Sequence, residues 1–95
     1  MAEQKTGQRL ILMDGTTIED GSCGFNAGRL WCWINGYTMT EAAAIFFNPS
    51  KTGRIVFEYG EMSDVYEGFV NCTNISIDSD GQISICLMKE VASNV

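Results

Sequence analysis

The sequence predicts an α+β domain: one antiparallel sheet of five or six strands with a single short helix packed on it, in the order ββ(β)αβββ. Turn dipeptides recur between short β-capable runs, which is the mark of hairpins. One segment alone carries helix-start and helix-stop chemistry. The last third alternates apolar and polar residues with period two, as a half-buried sheet requires. A chain of 95 residues makes one domain, 1–95, with residues 1–8 expected as a flexible arm and 90–95 as a flexible tail.

The elements follow in order. LILM-DG-TTIE sets Asp14-Gly15 between two strand-like runs, and a type I′ turn with positive φ at both residues is expected there. GSCGFNAG, residues 21–28, holds three glycines and reads as an irregular loop. In RLWCWI, residues 29–34, Leu30, Cys32 and Ile34 share one face while Arg29, Trp31 and Trp33 share the other. Asn35-Gly36 ends that run. The helix comes next, in TMTEAAAIFFNP. Thr38 and Glu41 have capping-box spacing, Ala42 to Ala44 favour helix, and Asn48-Pro49 stop it. Met39, Ala42, Ile45 and Phe46 form its apolar face. RIVFEY, residues 54–59, is a strand that turns at Gly60-Glu61 into MSDVYEGF. NCTNISID and QISICLM then pair through Ser79-Asp80-Gly81, with Ile75 and Ile77 matching Ile83, Ile85 and Leu87 on one face.

Composition narrows the function. Apolar residues at 45% and charged ones at 19% describe a folded globule. No run approaches the 18 or so apolar residues of a membrane span, and MAEQKTGQR lacks the apolar stretch of a signal peptide; the chain reads as intracellular. A net charge of −6 argues against direct nucleic-acid binding, which needs clustered Lys and Arg, and against anionic membranes. Basic protein surfaces, cations or other copies of the chain are the partners it suits.

Catalysis is not expected. Histidine is absent, which removes the commonest general base and metal ligand. Cys23, Cys32, Cys72 and Cys86 include no C-x-x-C pair, so neither zinc nor any other cofactor is indicated. Three of the four sit in predicted strands and read as buried free thiols. Cys23, in the glycine-rich segment, is the one candidate for exposure, and its neighbours Ser22, Gly24 and Phe25 offer no base. DSDGQI, residues 78–83, echoes part of a calcium loop but puts Leu87 where a bidentate Glu belongs, so a β-turn is expected.

Two groups of residues suggest contact chemistry. Glu58, Glu61, Asp64 and Glu67 recur at intervals of three, and no basic residue occurs from Ile55 to Met88 while six acids do. On strands these carboxylates fall on alternating faces and crowd the turn and edge of a hairpin. There they either keep strands from pairing between molecules or form an electronegative patch for a basic protein surface. Trp31 and Trp33 point away from the main core; they either pack on the sheet's second face or form an aromatic contact patch.

The segments MDGTTIEDG, TMTEAAAIFFNPSKTGRIVF and YEGFVNCTNISIDSDGQISICLMK together resemble a family of small proteins carried by phages and prophages of gut Firmicutes. The matching positions are Asp14-Gly15-Thr16, Glu41 to Ile55, Tyr66-Glu67-Gly68-Phe69 and Asp78 to Leu87, most of the chain. Cys23, Trp31 to Trp33 and Cys72 lie outside the shared motifs. The resemblance implies phage origin and two competing roles. One is a small acidic inhibitor acting in the host cytoplasm on a host defence protein such as a nucleic-acid-binding enzyme. The other is a minor virion or assembly component, repeated by symmetry. It implies no catalytic residues.

Overall fold

The structure, a computed structural model, describes residues 7–89. The α+β class holds, but the sheet is not single. Strands β1 (Gln8–Leu12), β2 (Thr17–Glu19), β5 (Arg54–Tyr59) and β6 (Met62–Glu67) form one four-stranded sheet in the order β2-β1-β5-β6. Strands β3 (Ser22–Asn26), β4 (Arg29–Ile34), β7 (Asn71–Ile77) and β8 (Ile83–Met88) form a second, in the order β3-β4-β8-β7. The pairings within both are antiparallel. Two short helices, α1 (Met39–Phe46) and α2 (Pro49–Thr52), replace the one expected.

The chain changes sheets at Asp20-Gly21. Asp20 takes positive φ (61°), which short polar side chains tolerate. Gly21 then passes close over the core: a Cβ there would lie 3.1 Å from Leu10 Cδ1 and 3.2 Å from Ile18 Cγ2. This is the first of three crossings: the chain returns to the first sheet between β4 and β5 and leaves it again between β6 and β7. Together they make two sheets out of what reads in sequence as one. Both supply the same buried cluster, Leu10, Leu12, Ile18, Ile55 and Phe57 from the first and Cys23, Leu30, Cys32, Ile34, Ile83, Ile85 and Leu87 from the second. Burying each large apolar side chain stabilises the fold by about 1.5–3 kcal/mol.

Residues 21–28 are not an irregular loop. They form β3 and a two-residue turn in which Ala27 and Gly28 both have positive φ (54° and 79°), with Asn26 opposite Arg29. Alanine rarely adopts that conformation, which hides the hairpin in the sequence. At Asp14-Gly15 the hairpin is present with a different turn. Gly15 alone takes positive φ (93°), its N–H donates to the Leu12 carbonyl (2.9 Å), and the Leu12 N–H donates to the Thr16 carbonyl (2.8 Å), closing a three-residue loop.

Helix α1 starts with the expected capping box: the Glu41 N–H donates to Thr38 Oγ1 (3.1 Å) and the Thr38 N–H to Glu41 Oε1 (2.9 Å). Ala42 and Phe46 are buried while Met39 is exposed, so the apolar face is narrower than its spacing suggests. The helix lies against β7 and β8. Asn48 caps α2, its side chain accepting from the Ser50 N–H (3.0 Å), and Pro49 occupies the first turn, where its missing N–H is harmless. Lys51 Nζ reaches back to Asp14 Oδ2 (2.6 Å) and Thr16 Oγ1 (3.1 Å), tying α2 to the β1–β2 loop. Lys51 and Thr16 hold the Asp14 carboxyl well below its ordinary value of 3.8. The clamp is therefore intact above that pH and is lost as pH falls toward the lower, folded value.

Of the arm expected over residues 1–8, Gln8 belongs to β1 opposite Tyr59, and the Gly7 carbonyl accepts from the Gly60 N–H (3.2 Å). Residues 1–6 and the tail expected at 90–95 lie outside the described residues.

Two substitutions test this packing. Gly21→Ala should lower the unfolding free energy by about 1–3 kcal/mol, because fully buried Leu10 and Ile18 must shift to admit a methyl group; equilibrium urea denaturation measures it. Thr52 is fully buried, with its hydroxyl unpartnered among the described residues. Thr52→Val should raise stability by about 1 kcal/mol in the same assay, since an unmet hydroxyl costs desolvation.

Candidate functional site: an acidic edge strand and the groove beside it

The β5–β6 hairpin carries Glu58, Glu61, Asp64 and Glu67, and β6 is an edge strand of its sheet. As alternation requires, the carboxylates are split between faces. Glu58 and Glu67 lie on the outer face, in register with Ser63 and Arg54, while Asp64 lies opposite core residue Phe57 on the inner face. Glu61 sits in the turn, where Gly60 supplies positive φ (62°). Asp64 is half-buried and accepts a 3.0 Å hydrogen bond from the Tyr59 hydroxyl. That bond, helped by burial and the carboxylate's charge, raises the phenol above its ordinary range.

The expectation that these acids have no basic neighbour fails at Glu67, which stands opposite Arg54 in the β5–β6 pairing, and most clearly at Glu58. Its Oε1 accepts from Arg9 Nε at 2.8 Å, across the β1–β5 pairing where Arg9 and Glu58 stand in register. Glu19, opposite Arg9 on β2, adds to the field that holds the guanidinium charged. The partner was invisible in sequence because it lies 49 residues away. An exposed pair of this kind contributes little stability, but it removes Glu58 from the patch that an outside cation would meet. Glu61, Asp64 and Glu67 remain.

Charge divides between the sheets. The strands of the β2-β1-β5-β6 sheet contain Glu19, Glu58, Asp64 and Glu67, whereas the strands of the β3-β4-β8-β7 sheet contain no acidic residue. The outer face of the second sheet is where Trp31 and Trp33 lie, pointing away from the core as expected. Trp31 stands between Gly24 and Cys86, and Trp33 between Ser22 and Ser84. Both are half-buried, and neither belongs to the buried core cluster. The Trp33 ring leans over Gly24, within 3.8 Å of where a Cβ would be. Segment 21–28 thus flanks the indoles as a neighbouring strand. Trp31 and Trp33 are therefore on a different sheet from the acidic hairpin and do not form one site with it.

The structure adds a groove that the sequence reading missed. A hollow of about 530 Å³ is lined by Val65, Tyr66 and Glu67 of edge strand β6, by Phe25 of edge strand β3, and by Phe69 and Lys89. Phe69 is its floor at 3% exposure. Phe25 and Tyr66 meet that ring edge-on, at centroid distances of 5.8 and 6.2 Å, and Lys89 Nζ stands 5.6 Å from it. The YEGF motif supplied the only sequence signal. Phe25 was hidden by the loop assignment of residues 21–28.

Cys23 is not exposed. It lies in β3 opposite Cys32, at 6% exposure. All four cysteines are free thiols and all lie in strands. The hydrogen bond with Cys23 and complete burial push the Cys32 thiol well above the usual range. Desolvation raises Cys72. Among the described residues, no group of three or more His, Cys, Asp or Glu could hold a metal ion, and no helix is long and apolar enough to cross a membrane. Comparison with protein-family models, with curated proteins and with solved structures finds no match.

Thiol chemistry checks the cysteine geometry. Iodoacetamide at neutral pH should leave Cys23, Cys32 and Cys86 unmodified in the native protein and label Cys72 slowly, with all four reacting in urea. Fast native labelling of Cys23 would show β3 opening from β4.

Proposed function

We propose that the chain is a non-enzymatic contact module whose acidic β5–β6 hairpin engages a basic protein surface. The observation that carries this is the division of charge: acids occupy the strands of one sheet and are absent from those of the other. Acids scattered for solubility alone would have no reason to spare one sheet. Concentrated on one hairpin, they steer a cationic partner and fix its orientation more than they add raw affinity. Glu61, Asp64 and Glu67 carry the contact, with Glu58 contributing only through its pair with Arg9. The phage-family resemblance supplies the biological setting: a small acidic inhibitor of a host protein whose nucleic-acid channel is cationic. Trp31 and Trp33, on a sheet whose strands hold no acid, provide a second surface for protein contact.

A charge-neutral variant tests the hairpin. Glu61→Gln, Asp64→Asn and Glu67→Gln together should weaken capture of a basic host protein about tenfold or more, chiefly through slower association. Raising salt from about 0.05 to 0.5 M should weaken the wild-type complex in the same way. Retention of the same partner by the neutral variant would remove the acidic contact. Recovery of the wild-type protein in purified virions would favour the assembly role instead.

A further inference from the structure

Three consecutive residues of β6, Val65, Tyr66 and Glu67, line the 530 Å³ groove. Successive side chains of a strand point to opposite faces, so a hollow that touches all three runs along the strand's edge and not over one of its faces. Among the described residues that edge is open: β6 pairs with β5 and with no other strand. Across the groove stands Phe25, on β3, an edge strand of the second sheet. Two of the side chains lining it are exposed and apolar, Phe25 at 55% and Val65 at 57%, and Met62 at the start of β6 is exposed at 61%. Acids interrupt them at Glu61, Asp64 and Glu67.

We propose that β6 accepts an extended, basic peptide segment as an added strand, one uncharged aromatic or aliphatic side chain of which fills the Phe25–Tyr66–Phe69 groove. This deepens the contact function proposed above and rests on its acidic hairpin. Strand addition supplies main-chain hydrogen bonds along the open edge, and alternate side chains supply specificity. An added strand lies about 4.8 Å beyond β6. Its inward side chains fall on the Tyr66 side, where the aromatic floor lies, and its outward ones lie beside Val65 and Glu67. Lys89 over the Phe69 ring makes a cationic anchor unfavourable, so in a basic peptide the anchor is neutral and the basic residues flank it. A second copy of the chain is the wrong occupant. Its β6 would bring Glu61, Asp64 and Glu67 against the same acids, and like charges facing one another across strands are destabilising.

The test uses the isotope-labelled full chain and a capped peptide of about seven residues, with phenylalanine at the centre and lysine alternating with threonine on either side. Saturable changes should appear in the amide spectrum at Met62 to Glu67, Phe69 and Phe25. Affinity should fall about tenfold or more when alternate peptide amides are methylated, when glutamate replaces the lysines, or when Phe25→Ala narrows the aromatic wall. Undiminished binding of the methylated peptide would overturn strand addition while leaving the acidic contact standing. Equal binding of the glutamate peptide would overturn both. No saturable change at β6, or β6 changes that follow protein concentration without peptide, would also overturn the proposal.

Discussion

The fold depends on one close approach, the backbone at Gly21 running over Leu10 and Ile18 as the chain leaves one sheet for the other. Without that crossing, the first two strands and the next two would lie side by side in a wide sheet with one face bare. With it, both inner faces bury each other, and fifteen residues form one buried cluster. The cost of this economy is edges. One wide sheet has two, while two narrow sheets have four: β2, β6, β3 and β7. A small chain can bury only a limited fraction of its surface, so it lacks the material to cover them all.

Charge placement answers that problem unevenly. On β6 the acids follow a spacing of three, which sends them alternately to both faces and around the turn. No single approach to this edge avoids them, a common defence of exposed strands. On the second sheet the strands hold no acids. Edge strand β7 carries asparagine, threonine and serine, with a register shift between Cys72 and Asn74 that disturbs a straight template. Its hairpin loop is fastened by Asp78, whose Oδ1 accepts from the Asp80 and Gln82 N–H groups at 2.9 and 3.0 Å. The DSDGQI segment is thus a hairpin closure made from its own carboxylate.

What could be read from the sequence follows the range of the physics involved. Local chemistry was legible. The Thr38–Glu41 capping box, the Gly60-Glu61 turn, the RIVFEY strand and the final hairpin that sets Ile75 and Ile77 against Ile85 and Ile83 all appear as read. So did the outward direction of Trp31 and Trp33, because alternation is a property of the strand alone. Features that need distant segments were lost. Arg9 reaches Glu58 only through the β1–β5 register. Phe25 reaches Phe69 only through the facing of the two sheets. Ala27 at positive φ is a third kind of loss, a local conformation that the residue type disfavours and the surrounding hairpin imposes.

Edge protection and recognition, which look like rival explanations of the acids, are the same interaction seen by different partners. A carboxylate at an open edge destabilises a neighbouring strand in proportion to that strand's negative charge and stabilises it when the sign reverses. The chain's own net charge of −6 therefore makes its other copies the partners most strongly rejected. Arg9 sharpens the contrast by neutralising Glu58 within the sheet, and with Arg54 opposite Glu67 the negative charge is concentrated toward Glu61 and Asp64, at the turn and the start of β6. Specificity of this kind arises from repulsion of the wrong occupant as much as from attraction of the right one. The exposed Val65 and Phe25 beside that edge, hazardous on an uncharged strand, are tolerable on this one.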